Sequence, residues 1–197
     1  MILSGIFSLP FALFSIAFVP EYWNPVKIGG LIVGIEDILF SYATGCIVWL
    51  IASLISKQNF NFNTKFSTVL KRYLIVANSS IFLGILLWES GVNIMTATII
   101  LITIVGVVLL YYYRKLWFFL LSGAFGFTLF HMFIIYLILS FWPQFIFQWS
   151  SGSLSEIVVF GIPIEEIIWA SAFGAVWPIF FVFIADLKLD DKKKIKN

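Results

Sequence analysis

Six stretches of this sequence, 2–19, 35–56, 70–88, 92–113, 116–141 and 164–187, run on with scarcely a charge. Each is close to the ~20 mostly apolar residues that carry an α-helix across a ~30 Å hydrocarbon layer. Backbone exposed to lipid must satisfy its own hydrogen bonds, so runs that are apolar on every face read as helices. A transmembrane barrel would instead show ten-residue segments of alternating polarity, which these runs lack. The intervening segments carry turn and breaker signals: 20–34 with Asn24-Pro25 and Gly29-Gly30, 57–66, 89–91, and 142–163. Pro10 and three serines interrupt the first run, and no Lys or Arg precedes it, which argues against a cleaved signal segment.

Composition narrows the class further. Of 197 residues 61% are hydrophobic and only 11% charged, against about a quarter charged in ordinary soluble domains. So few polar groups cannot cover the surface of a water-soluble enzyme. The abundance of aromatic and branched aliphatic residues excludes disorder, and Cys46, the single cysteine, excludes a disulfide scaffold.

Six spans put the N-terminus, the loops after spans two and four, and the C-terminus on one side. Eleven of the twelve Lys and Arg residues fall there, and only Lys27 falls opposite. Basic residues stay cytoplasmic, so both termini are expected inside and the chain in the cell membrane. The expected fold is an all-α polytopic membrane protein. A single transmembrane domain over 1–187 holds six helices, and 188–197 forms a basic cytoplasmic tail near anionic lipid. The outer face gathers Glu21, Glu36, Asp37, Glu89, Glu156, Glu165 and Glu166, with Trp23, Trp88, Trp142 and Trp149 marking the same interface.

The acids are not scattered. Gly34-Ile-Glu-Asp-Ile-Leu-Phe40 aligns without gaps on Pro163-Ile-Glu-Glu-Ile-Ile-Trp169, and Ala43 and Gly45 then meet Ala172 and Gly174. The repeat motifs occupy 34–49 and 163–178. Each opens a span with two adjacent acids, followed by an aromatic four residues after the first acid and a small-xxx-small pair (Ser41 with Gly45, Ala170 with Gly174). Each also follows an aromatic–proline segment, Tyr22-Trp23-Asn24-Pro25 or Phe141-Trp142-Pro143. Spans two and six run in the same direction, so the repeat is parallel. The small faces are expected to bring these two helices together, with four carboxyl groups at one depth.

Helix capping accounts for one acid in a first turn, because carboxylates complement the helix dipole. It explains less well a duplicated pair with an aromatic one turn on. Adjacent carboxylic acids in a dry site favour retention of a proton by one of them. A neutral acid beside an aromatic face can protonate an alkene, and the ring can stabilise the resulting cation.

On these motifs the sequence resembles the lycopene cyclase domain family, the small membrane type of carotenoid cyclase that occurs as separate or fused halves. The family's Pro-x-Glu-Glu stands intact at Pro163, Ile164, Glu165 and Glu166. In the first copy Gly34 replaces the proline and Asp37 the second glutamate, while the following aromatic is Phe40 in one copy and Trp169 in the other. The resemblance implies an isomerase that cyclises a polyene end-group without cofactor, metal or net electron transfer. It implies Glu165 and Glu36 as principal acid/base groups, with Glu166 and Asp37 tuning or deprotonating. Phe40 and Trp169 would line the cation site, and Glu21 and Trp23 are further candidates for the substrate wall. The expected partners are a carotenoid or polyprenyl molecule drawn from the bilayer and membrane lipids, with no nucleic acid. Homo- or hetero-oligomerisation is left open.

Two other classes stay open on the residues alone. One is a non-catalytic lipid- or isoprenoid-binding subunit on the same scaffold. The other is a cation-coupled transporter, although transporters place their acids near the midplane on broken helices. His131, inside the fifth span and the only histidine, reads as an interhelical hydrogen bond more readily than as a proton relay. No G-x-G-x-x-G or Walker loop is present, and Cys46 with His131 cannot build a zinc site.

Overall fold

The computed structural model describes residues 1–61, 65–150 and 154–189. Most of the expected basic tail, 190–197, lies outside the described residues. The chain is mostly helical, and five helices are long and apolar enough to cross a membrane.

The run at 2–19 is helical but broken into three pieces: α1 (Ile2–Ser8), a 3-10 stretch (Leu9–Phe14) and α2 (Ser15–Phe18). Pro10 sits in the first turn of the 3-10 stretch, where its missing N–H and its ring disrupt the regular α-helical ladder. The long helices follow: α3 (Ile35–Ser56), α4 (Phe66–Glu89), α5 (Ile94–Tyr112), α6 (Trp117–Phe141, entered through a 3-10 turn, Arg114–Leu116) and α7 (Ile164–Ile184). Their ends have local causes. The Asn93 side chain accepts from Met95 N at 2.8 Å and caps α5, while Lys57 in the left-handed conformation (φ 54°) closes α3.

Helix α7 is the axis of the bundle. Ala170, Ile179, Val182 and Ile184 are fully buried, and α7 packs against α6, α5, α4 and α3. Pro178 lies inside it and cannot donate to the carbonyl of Gly174 four residues earlier. Gly123 of α6 is packed directly over that carbonyl, where a Cβ at position 123 would collide with it. The α6–α7 contact therefore depends on bare backbone.

The same device joins the N-terminal segment to α3. A Cβ at Gly45 would collide with Ser8, and Ser8 Oγ and Ser4 Oγ donate to the carbonyls of Ser41 (2.7 Å) and Gly45 (2.8 Å). Trp177 Nε1 donates to Ser4 Oγ at 2.9 Å and ties this pair to α7. The small-xxx-small faces of α3 and α7 thus do not meet each other, as the sequence pattern suggested. Each is taken up by the helix packed antiparallel to it, Ser41/Gly45 by α1 and Ala170/Gly174 by α6. Between α3 and α7 the contact includes a pair of large rings instead, Phe40 and Trp169.

The two ends are closed differently. At one end Arg72 Nη1 donates to the Phe183 carbonyl (2.7 Å) and to Asp186 (2.9 Å). There β1 (Phe60–Asn61) pairs antiparallel with β4 (Lys188–Leu189). At the other end the segments that lead into α3 and α7 zip together. Asn24 N donates to the Gln148 carbonyl (2.8 Å), and Ser150 N donates to that of Tyr22 (2.9 Å). A two-residue hairpin, β2 (Val158–Val159) with β3 (Ile162–Pro163), delivers the chain into α7. Its turn is Phe160-Gly161, both at positive φ (53° and 80°), as such tight hairpins require.

Gly123→Ala is expected to weaken the α6–α7 contact by about 1–3 kcal/mol, the range for overpacking. Gly84→Ala serves as control, since its Cβ would meet only the tip of Leu101 at 3.3 Å. Thermal unfolding in detergent should show a lowered midpoint for the first variant and none for the second.

Candidate functional site

The first turn of α7 carries a carboxylate with little access to solvent: Glu166 is 8% exposed. A buried carboxylate is tolerated only when donors replace its water, and Glu166 has three from separate segments. Tyr22 Oη donates to Oε1 at 2.9 Å, and Trp149 Nε1 donates to the same oxygen at 2.9 Å. His131 Nε2, reaching across from α6, lies 3.1 Å from Oε2 and donates to it when the carboxylate is ionised. Tyr22 lies outside the helices. Burial above all, and then the neighbouring Glu166 and Glu165 charges, push its hydroxyl well above the usual phenol range. It therefore stays protonated and remains a donor.

The first motif is arranged in parallel with different partners. Asp37 accepts from the Gly34 backbone N at 2.7 Å, from Ser15 Oγ at 2.6 Å, and from Lys27 Nζ at 2.7 Å. The Lys27 side chain is only 6% exposed and also donates to the Ile32 carbonyl. In both motifs the second acid thus binds a hydroxyl, a further N–H and a basic side chain.

The first acids also match. Glu36 accepts from Ile28 N at 2.5 Å and Glu165 from Ser155 N at 2.6 Å. In each the other carboxyl oxygen is buried without a hydrogen-bond partner. The Glu36 carboxylate folds back over Gly34, into the space a Cβ there would need.

The aromatic residues form one system. Phe40 and Trp169, each four residues after a first acid, stack with centroids 6.3 Å apart. Trp169 begins a column along α7 at helical spacing, stacking on Phe173 (5.4 Å), which stacks on Trp177 (5.6 Å). The His131 ring lies 5.5 Å from Trp169 and 5.7 Å from Phe127.

Of the residues singled out from sequence, Glu36, Asp37 and Phe40 stand in the first two turns of α3 and Glu165, Glu166 and Trp169 in those of α7, with Phe40 meeting Trp169 across the two helices. Trp23 lies near the site indirectly, packing on Trp149 at 4.8 Å. Glu21 is exposed, and its neighbour Tyr22 is the residue that turns inward. Trp149 is buried and bonded to Glu166, so it is not an interfacial belt residue, whereas Trp142 is 65% exposed. Spatially, Trp23 pairs with Trp149 and not with Trp142, which the aromatic–proline alignment had matched to it. His131 does make an interhelical hydrogen bond, and its partner is one of the paired acids. The repeat itself was the signal that led to the acids, but no spacing rule links Tyr22, Lys27 or Trp149 to them.

Fold and site together define a polytopic all-α protein with a buried, aromatic-lined carboxylate centre. Comparison of the chain with protein-family models, with curated proteins and with solved structures finds no match.

Tyr22→Phe removes one donor from buried Glu166 and is expected to lower stability by about 1–3 kcal/mol. Combined with Glu166→Gln, the loss should fall short of the sum, since the two residues share one bond. Denaturant unfolding in detergent measures both, and strict additivity would separate Tyr22 from Glu166.

Proposed function

We propose that this chain is an intramembrane isomerase of the lycopene cyclase type, acting on a polyene end-group held in the bilayer. The observation that carries the reading is the head of α7. There Glu165 holds a buried carboxyl oxygen with no partner, and one turn on Trp169 faces Phe40 across the helix contact. In the proposed reaction the carboxylic proton of Glu165 adds to a terminal alkene. The alkene's π pair forms the new C–H bond and leaves a tertiary cation, which aromatic faces stabilise. A second alkene's π pair closes the ring. Loss of a ring proton to a carboxylate then restores a double bond, so atoms and electrons balance with no oxidant. Glu36 is the corresponding acid of the first motif, with Asp37 and Glu166 as tuning or accepting groups and Trp23 shaping the wall behind Trp149.

The reading includes six spans in the cell membrane, a parallel repeat and both termini inside. The segment 2–18 is the sixth apolar segment of this reading, and it packs antiparallel along the first half of α3, with Ser15 at Asp37, Ser8 at Ser41 and Ser4 at Gly45. A non-catalytic isoprenoid-binding subunit is the second reading, favoured by the way donors already saturate Asp37 and Glu166.

Expression in a lycopene-accumulating host, followed by pigment chromatography, tests the chemistry. The wild type should yield cyclised end-groups, and Glu165→Gln, inserted at equal level, should yield at least ~100-fold less, as for loss of a general acid. Absence of cyclised product from the wild type, alone or with a partner subunit, would leave the binding subunit. For topology, single cysteines are introduced into a Cys46→Ala background. Position 24 should react with a membrane-impermeant maleimide in intact cells, and position 58 only after lysis.

A further inference from the structure

We infer that the two acidic motifs have separate jobs: the first is a clamp that holds its own loop, and the second, with His131 as its partner, handles the proton. The destination of the proton rests on the isomerase reading; the division between the motifs rests on the geometry alone.

The partners of the first motif are close in sequence. Ile28 bonds Glu36, while Asp37 takes Lys27, Gly34 and Ser15. Three of these four lie in the loop 20–34. Asp37 meets the Lys27 ammonium in an ion pair at 2.7 Å. The free oxygen of Glu36 is turned back onto Gly34, and Phe40 beside it is 54% exposed. The two acids of this motif seat the outer loop on the start of α3.

The second motif has local partners too, Ser155 on Glu165 and Trp149 on Glu166, but Glu166 also draws Tyr22 from the loop before α3 and His131 from α6. The basic group here is an imidazole, the side chain suited to taking up and releasing a proton near neutrality. Its ring lies against Trp169 and Phe127, so it sits beside the aromatic wall. The ionisable groups facing Glu166 are His131 from α6 and Tyr22 from the loop, with Glu165 its neighbour on α7. In the isomerisation the ring C–H bond breaks, its electron pair becomes the new C=C bond, and the proton passes to the His131–Glu166 couple. Glu166 stands next to Glu165 in the first turn of α7, so the couple that takes the proton adjoins the acid that gave it.

The decisive variants are His131→Gln, which keeps a donor toward Glu166 but takes up no proton, and the double variant Ser15→Ala/Lys27→Met, which removes both side-chain partners of Asp37. In the pigment assay His131→Gln should lose at least ~100-fold while melting near the wild-type temperature. The double variant should melt lower, yet keep activity within about tenfold. Full activity in His131→Gln, or equal inactivation of a folded double variant, would overturn the division. His131→Ala adds a readout that packing alone would not move. Added imidazole should restore turnover, whereas pyrazole, of the same shape but far weaker as a base, should not; equal restoration by both would make His131 a packing residue. A substrate-free arm keeps this separate from failure of the cyclase reading. With a single histidine in the chain, 15N-histidine labelling reports which ring nitrogens carry protons. Glu166→Gln should change that distribution and Asp37→Asn should not. If Glu166→Gln leaves it unaltered, the inference falls even where no cyclisation is observed.

Discussion

The bonding of Glu166 organises one end of the molecule. A carboxylate that is 8% exposed cannot stay charged on hydration, so its neighbours must supply donors. Those donors come from the loop before α3, the segment before α7, and α6. Three parts of the chain that nothing else in the sequence connects are thereby held at one point. The loop-to-loop bonds of Asn24 and Ser150, the Trp23–Trp149 packing and the position of Trp169 all lie around that point.

Below it the bundle uses a different principle. In hydrocarbon there is little hydrophobic drive between helices, so close packing of small residues and interhelical hydrogen bonds take over. Gly123 on Gly174, and Ser4 and Ser8 on Gly45 and Ser41, are of this kind. Each motif-bearing helix is paired with an antiparallel neighbour through its small face. Its aromatic residue is then left to meet the other motif. The separation of small and aromatic faces on α3 and α7 is what brings Phe40 to Trp169.

Much of this was legible in the sequence. Helix α3 coincides with the apolar run at 35–56, and the other long helices differ from their runs only at the ends. Helix α4 starts at Phe66, earlier than the apolar run, because the positions before residue 70 are polar enough to hide a helical turn. Helix α7 ends at Ile184, with Asp186 turning out to Arg72. The break at Pro10 was visible as an interruption, but not as a 3-10 stretch. The four acids and two aromatic residues emerged because the chain states them twice. Tyr22 was missed in favour of Glu21 and Trp23, since nothing in one sequence says which side of an irregular loop faces inward.

Sequence by itself determined that this chain carries several helices long and apolar enough to cross a membrane, and that two matched acidic turns open two of them. Those properties are sums over local residues, and the bilayer reads them locally. Which acid is buried, and what it bonds to, was decided only by tertiary structure. The Tyr22–Glu166 bond joins residues 144 positions apart, and a contact of that kind is set by how helices and loops pack, not by any spacing along the chain. The same packing gave two nearly identical motifs unlike partners, a lysine in one and a histidine in the other.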